Sequence, residues 1–129
     1  MSQGFPPNFS EAELNCNSGA HCPYPDRLRH LAWTLQTIRN HFGKPIRVNS
    51  GYRDPDYNKR IGGATRSQHV EARAADLTPS VFSEHELDRF KSVVNELVAS
   101  GKIPDGGIGS YNTFVHYDMR PSGPARWEG

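Results

Sequence analysis

The sequence predicts a single α+β domain in which two long helices flank a small, mostly antiparallel sheet. Three observations lead there. Apolar residues recur at helical spacing in two separate stretches, short runs of strand character bounded by Gly and Pro lie between and after them, and 129 residues suffice for one core but not for two ordinary domains. The whole chain, 1–129, is therefore read as one domain, with an arm at 1–25 and an irregular tail at 120–129.

The arm is rich in Pro, Asn, Ser and Gly and holds one short helical stretch, Ser10 to Leu14, which Ser10 can cap with Glu13 answering. From Asp26, a candidate cap, Leu28, Leu31, Leu35, Ile38 and Phe42 recur at steps of three and four, and Gly43 is placed to end the helix. Ile46 to Asn49, after Pro45, alternates as a strand does and is broken by Ser50-Gly51. Asp54-Pro55 opens a short helix that Gly62-Gly63 ends. Ala74 to Thr78, closed by Pro79, reads as a buried strand. Ser83 and Glu86 form a capping box for a second long helix, whose apolar face is Leu87, Phe90, Val93, Val94, Leu97 and Val98 and whose stop is Gly101. Gly106 to Tyr111 and Thr113 to Met119 read as two strands joined at Asn112.

Composition narrows the function classes. Hydrophobic residues make up 35% and charged residues 22%, with 12 Gly and 10 Pro, which suits a loop-rich globular protein rather than a disordered one. A net charge of +1 with dispersed basic residues lacks the footprint that nucleic-acid binding needs. No apolar segment reaches membrane-spanning length, and Met1 to Pro7 shows no basic stretch followed by an apolar run, so neither membrane insertion nor an export signal is expected. Cys16 and Cys22 are close enough to pair and equally compatible with free thiols. With His21 they would still lack the fourth ligand of a closed zinc site.

Chemistry concentrates in two places. His69 and Asp76 stand seven positions apart across a change from loop to strand, and His116 follows on a later strand. Two imidazoles and one carboxylate are the ligand set of a catalytic zinc that keeps one position open, although a His and an Asp at such spacing are more often a hydrogen-bonded core pair than a metal site.

Ser50-Gly51-Tyr52-Arg53, the block from Ser67-x-His69 to Ala74-x-Asp76, and Gly109-x-Tyr111-x-x-Phe114-Val115-His116-x-Asp118 resemble the three signature blocks of the M15-type zinc peptidases. That family includes D-alanyl-D-alanine carboxypeptidases and L-alanyl-D-glutamate endopeptidases, many of them phage-encoded. The resemblance runs from about Phe9 to Trp127. It implies zinc on His69, Asp76 and His116, and it makes Arg53 the cation that meets developing charge on the scissile carbonyl, where a plain reading has Arg53 pairing with Asp54 or Asp56 at the surface. By the same resemblance Ser67 can hydrogen-bond substrate or a ligand instead of only capping a turn, and Tyr111 can form a wall of the cleft instead of core.

Two departures from the family pattern stand out. Ala72 replaces a glycine common in relatives, a change of little cost unless the backbone there needs a positive φ. Thr113 and Phe114 occupy the positions from which relatives take a general base. Asp118, two residues beyond His116 on a strand, points to the same face and can supply that base, or it can orient the ligand histidine. Glu71 is a reserve candidate, and His21, His30, His41 and His85 read as ordinary histidines.

The expected function is zinc-dependent hydrolysis of peptide bonds in peptidoglycan stem peptides, as a D,D-carboxypeptidase or an endolysin-type endopeptidase, by a monomer made in the cytoplasm that acts on the cell wall if phage-encoded. The alternative is a zinc-binding but inactive cell-wall-binding or virion module.

Overall fold

The computed structural model describes residues 4–15, 21–64 and 67–129. Cys16, and with it any pairing to Cys22, lies outside the described residues. The element order is α1 (Glu11–Leu14), α2 (Pro25–Phe42), β1 (Ile46–Ser50), α3 (Pro55–Arg60), β2 (Ala74–Pro79), α4 (Glu84–Ala99), β3 (Gly107–Ser110), β4 (Val115–Asp118) and β5 (Ala125–Glu128).

Helix ends follow local chemistry, with two corrections. Ser10 and Glu13 form the reciprocal capping box of α1. Helix α2 starts one residue before the expected cap: Pro25, whose fixed φ and missing N–H suit the first turn, opens it behind Tyr24, and Asp26 pairs with Arg29 at 2.8 Å instead of capping. Gly43, at φ 78°, closes α2 by donating its N–H to the Arg39 carbonyl. At α4 only half of the expected box forms. Ser83 accepts from the Glu86 N–H, while the Glu86 carboxylate turns to Lys44 at 2.9 Å and Arg89 at 3.2 Å.

The apolar stripes of the two long helices bury Leu28, Leu31, Leu35 and Ile38 of α2 and Leu87, Phe90, Val94 and Leu97 of α4 against Leu77, Val115 and Tyr117 of the sheet. Phe42 meets Phe90 edge to face, with ring centroids 5.2 Å apart.

The strand order is β1-β2-β4-β3-β5, antiparallel except for the parallel pair β3–β5. The tail expected to be irregular therefore ends in a strand. Four residues carry too little periodicity to announce one, and β5 exists because the open edge of β3 offers its backbone groups. In β2 and β4 the side chains alternate, so Ala75, Leu77, Val115 and Tyr117 enter the core. The register sets Asp76 opposite His116, and His116 opposite Gly109.

Ala72 has φ 58°, the one positive φ among described non-glycine residues, and is fully buried. It closes the turn after Ser67: Arg73 N–H reaches the Gln68 carbonyl and Ala72 N–H the His69 carbonyl, the bond pair of a Schellman closure, whose left-handed position is usually Gly. The backbone there does need a positive φ. For Ala72→Gly, relief of ~1 kcal/mol of left-handed strain is offset by a lost buried methyl of ~0.8 kcal/mol and by a more flexible unfolded chain. Urea denaturation should then find Ala72→Gly within about 1 kcal/mol of the parent and Ala72→Val lower by about 2 kcal/mol or more, because a branched Cβ is both strained and overpacked there. Equal losses in the two variants would exclude backbone conformation as the constraint.

Candidate metal centre

The loop after β1 positions His69, the first candidate ligand. A Cβ at Gly51 would lie 2.4 Å from the Leu14 carbonyl oxygen, so only glycine lets the arm approach, and Tyr52 N–H donates to that same carbonyl at 2.8 Å. The Gly51 carbonyl accepts from His69 Nδ1–H at 2.8 Å. Arg53 N–H donates to the His69 carbonyl at 3.0 Å, which ties the Ser50–Arg53 segment to the turn that carries the histidine.

His69, Asp76 and His116 come together as one group able to hold a metal ion, their ligand atoms all within 4.8 Å of one another. Asp76 Oδ1 lies 3.3 Å from His69 Nε2 and 3.0 Å from His116 Nδ1. Ligand atoms each about 2.0–2.1 Å from a tetrahedral zinc are roughly 3.3 Å apart, so this spacing suits the ion. The outer hydrogen bonds choose the tautomers that it requires. His69 donates Nδ1–H to Gly51, leaving Nε2 for metal, and His116 donates Nε2–H to Asp118 Oδ2 at 2.8 Å, leaving Nδ1. His69, Asp76 and His116 thus fit zinc by donor type, spacing and protonation.

Burial raises the Asp76 carboxyl, but in their protonated forms His116 and His69 also donate to Asp76, and those hydrogen bonds and charges outweigh burial and hold the carboxyl well below the ordinary carboxylate range; a metal ion would take the place of those two protons. For His116 burial lowers the pKa, and the bonds to Asp118 and Asp76 outweigh it, so the net direction is upward.

Around the group opens a cavity of about 460 Å³ whose wall includes Arg53, Ser67, Gln68, Tyr111, Phe114, Arg120 and Trp127. Arg53 reaches the second carboxylate oxygen of Asp76, Oδ2, at 3.4 Å, and also donates to Ser50 and Asn58. Its partner is therefore Asp76 rather than a surface carboxylate. Ser67 does cap its turn, accepting from His69 N–H at 3.2 Å, and it also stands on the cavity wall. Tyr111 stacks on Phe114 at 4.3 Å and accepts from Trp127 Nε1–H at 2.8 Å. Thr113 lies outside this cavity.

Asp118 is fully buried and does not line the cavity. Its oxygens accept from Gly107 N–H, from Arg120 N–H, Nε and Nη2, and from His116 Nε2–H, at 2.6–3.0 Å. Burial raises its pKa, and the bonds from Arg120 and His116 outweigh that and hold it well below the ordinary range. Asp118 thus meets the His116 ring on the side away from Asp76. Glu71, the reserve, pairs with Arg27 at 3.5 Å and Arg73 at 3.8 Å beside a neighbouring cavity. His21, His30, His41 and His85 are exposed.

Gly51 as an acceptor, Asn58 as a brace, and Arg120 and Trp127 as cavity wall are not evident from local sequence. The strand pairing of β5 with β3 brings Trp127 back over Gly109, whose Cβ would lie 2.5 Å from Trp127 Nε1. The indole lies 5.0 Å from the His116 ring. The Gly-x-Gly spacing of β3 was the available signal.

The family described as Peptidase M15 matches residues 7–118 of the chain. The chain is also similar to the zinc D-Ala-D-Ala carboxypeptidase of Streptomyces albus G, with 44% identity over 80 residues, which cover 56% of this chain and 31% of that relative's own length.

Removing any ligand leaves two donors, so His69→Ala, Asp76→Ala and His116→Ala should each lose most bound zinc in metal analysis while circular dichroism still reports a fold, since the helix faces supply a core independent of the metal. Full zinc content in His116→Ala would overturn the ligand set.

Proposed function

This chain belongs to the M15 family of zinc peptidases, and from that premise we propose that it hydrolyses peptide bonds in peptidoglycan stem peptides, with His69, Asp76 and His116 holding the zinc. The observation that carries the proposal is the ligand group itself: two tautomer-fixed imidazoles and one carboxylate at the wall of an open cavity. Similarity to a zinc D-Ala-D-Ala carboxypeptidase supports a bond next to D-alanine as the target. Cleavage within the stem by an endolysin-type enzyme is the variant of the same chemistry.

Zinc held by His69, Asp76 and His116 would supply Lewis acidity for a scissile carbonyl and for water at neutral pH. The chain's own residues do the rest. Arg53 braces Asp76 and presents positive charge to the cavity where an oxyanion would develop. Tyr111 accepts a hydrogen bond from Trp127, so its own O–H is left to donate to a substrate carbonyl, and Ser67 offers a hydroxyl from the opposite block. Asp118 keeps the His116 ring in orientation and tautomer from behind.

One observation favours a second reading, an inactive zinc-binding wall or virion module. Among the described residues, Asp76 is the only carboxylate lining the cavity, so no second carboxylate stands ready as a proton acceptor. Incubating the zinc-loaded protein with purified peptidoglycan decides between them. Released D-alanine or new amines in the mass spectrum establish an enzyme, and binding without product establishes the module.

Arg53→Lys keeps the charge but loses the planar fork, so turnover should fall ~100-fold to ~1,000-fold with zinc retained. Wild-type turnover in Arg53→Ala would confine the residue to bracing. Asp118→Asn should weaken zinc affinity ~10-fold to ~100-fold, with activity restored by added zinc. A rate loss at full zinc occupancy would instead identify Asp118 as the base.

A further inference from the structure

Two arginines line the metal cavity among the described residues, and their donors are committed differently. Arg53 uses Nε, Nη1 and Nη2 on Ser50, Asn58 and Asp76. Arg120 forks onto Asp118 with one edge only, Nε at 2.9 Å and Nη2 at 2.6 Å. A guanidinium carries five N–H groups in a plane, so its opposite edge, made by Nη1 and the second Nη2 proton, has no acceptor among the described residues.

That free edge is held firmly. The Arg120 guanidinium lies 5.3 Å from the Trp127 ring, and the oxygen it shares on Asp118 is the one that His116 also uses. Gly107 makes room for the fork, since a Cβ there would lie 2.6 Å from Arg120 Nη2 and 2.3 Å from Asp118 Oδ2. A planar cation thus stands one carboxylate away from a metal ligand, with a two-donor edge of the shape that a carboxylate matches.

We infer that Arg120 is a specificity-determining residue that binds the α-carboxylate of the residue leaving on hydrolysis. The inference rests on the peptidase reading above. In a peptide whose scissile carbonyl sits at the metal, that carboxyl carbon is two bonds past the scissile nitrogen. A terminal D-alanine carries a carboxylate there, and so does a D-glutamate linked onward through its side chain. One recognition element therefore serves terminal trimming and cleavage within the stem.

The test compares paired substrates on the zinc-loaded chain: an acetylated peptide ending in D-Ala-D-Ala against its C-terminal amide, and an L-Ala-D-isoglutamate peptide against its D-isoglutamine counterpart. The arm that is turned over tells which of the two sources of the carboxylate is used. Wild type should prefer the acid in that arm by ~10-fold to ~100-fold in kcat/KM, the worth of a charge-assisted carboxylate pair. Arg120→Gln should bring the ratio to near unity, and Arg120→Lys should keep a reduced preference. A residue that only neutralises Asp118 would lower both rates and leave the ratio unchanged, which overturns the inference, as does a wild type indifferent to amidation. If neither substrate is cleaved, the peptidase reading fails on its own. Calorimetry with N-acetyl-D-alanine and its amide then decides: an acid preference lost in Arg120→Gln upholds the carboxylate site, and equal binding removes it.

Discussion

A carboxylate placed inside a sheet has to be compensated, and Asp76 is the carboxylate around which this molecule is arranged. It sits on β2 directly opposite His116, with one oxygen between two imidazoles and the other facing Arg53. An ionised group so placed is expensive unless it is paired and hydrogen-bonded. Each partner recruits its own support. His69 leans on the Gly51 carbonyl, Arg53 on Ser50 and Asn58, and His116 on Asp118, which Arg120 and the Gly107 N–H hold in turn. The three candidate metal ligands are thus the centre of a polar network that runs from the arm to the tail.

That network is tolerable because the opposite face of the same strands packs into the hydrophobic core. Alternation along β2 and β4 sends Leu77, Val115 and Tyr117 into the core under α2 and α4, while Asp76 and His116 face the cavity. Two of the candidate ligands therefore rest on packed strands rather than on loops, which holds their spacing without help from an ion. The third candidate, His69, sits on a turn, and that turn is pinned by a backbone bond to Arg53 and by the left-handed closure at Ala72.

The tail completes the site from the other edge. Glycines on β3 leave room for bulky partners that arrive later in the chain: Gly107 for the Asp118–Arg120 fork, Gly109 for the Trp127 indole. An aromatic wall beside His116 and a cation facing the cavity follow from that empty space. Shape at β3 and charge at β4 are consequently one feature, and the parallel pairing of β5 is what closes it.

Periodicity and capping are interactions between residues a few positions apart, so the two long helices, the early strands and the capping of α1 could be read from the sequence alone. Resemblance to known signature blocks marked the ligand trio, Arg53, Ser67 and Tyr111. Roles that depend on distant partners could not be read that way. The α2 start at Pro25, the half-formed box at α4, the positive φ of buried Ala72, the saturation of Asp118 and the strand hidden in the tail were all decided by packing. Arg120 shows the reason most plainly: in sequence it is one more arginine beside a proline, and only the pairing of β3 with β4 and β5 brings it, Asp118, Gly107 and Trp127 together. A sequence determines which groups are available, whereas burial and register determine which of them meet.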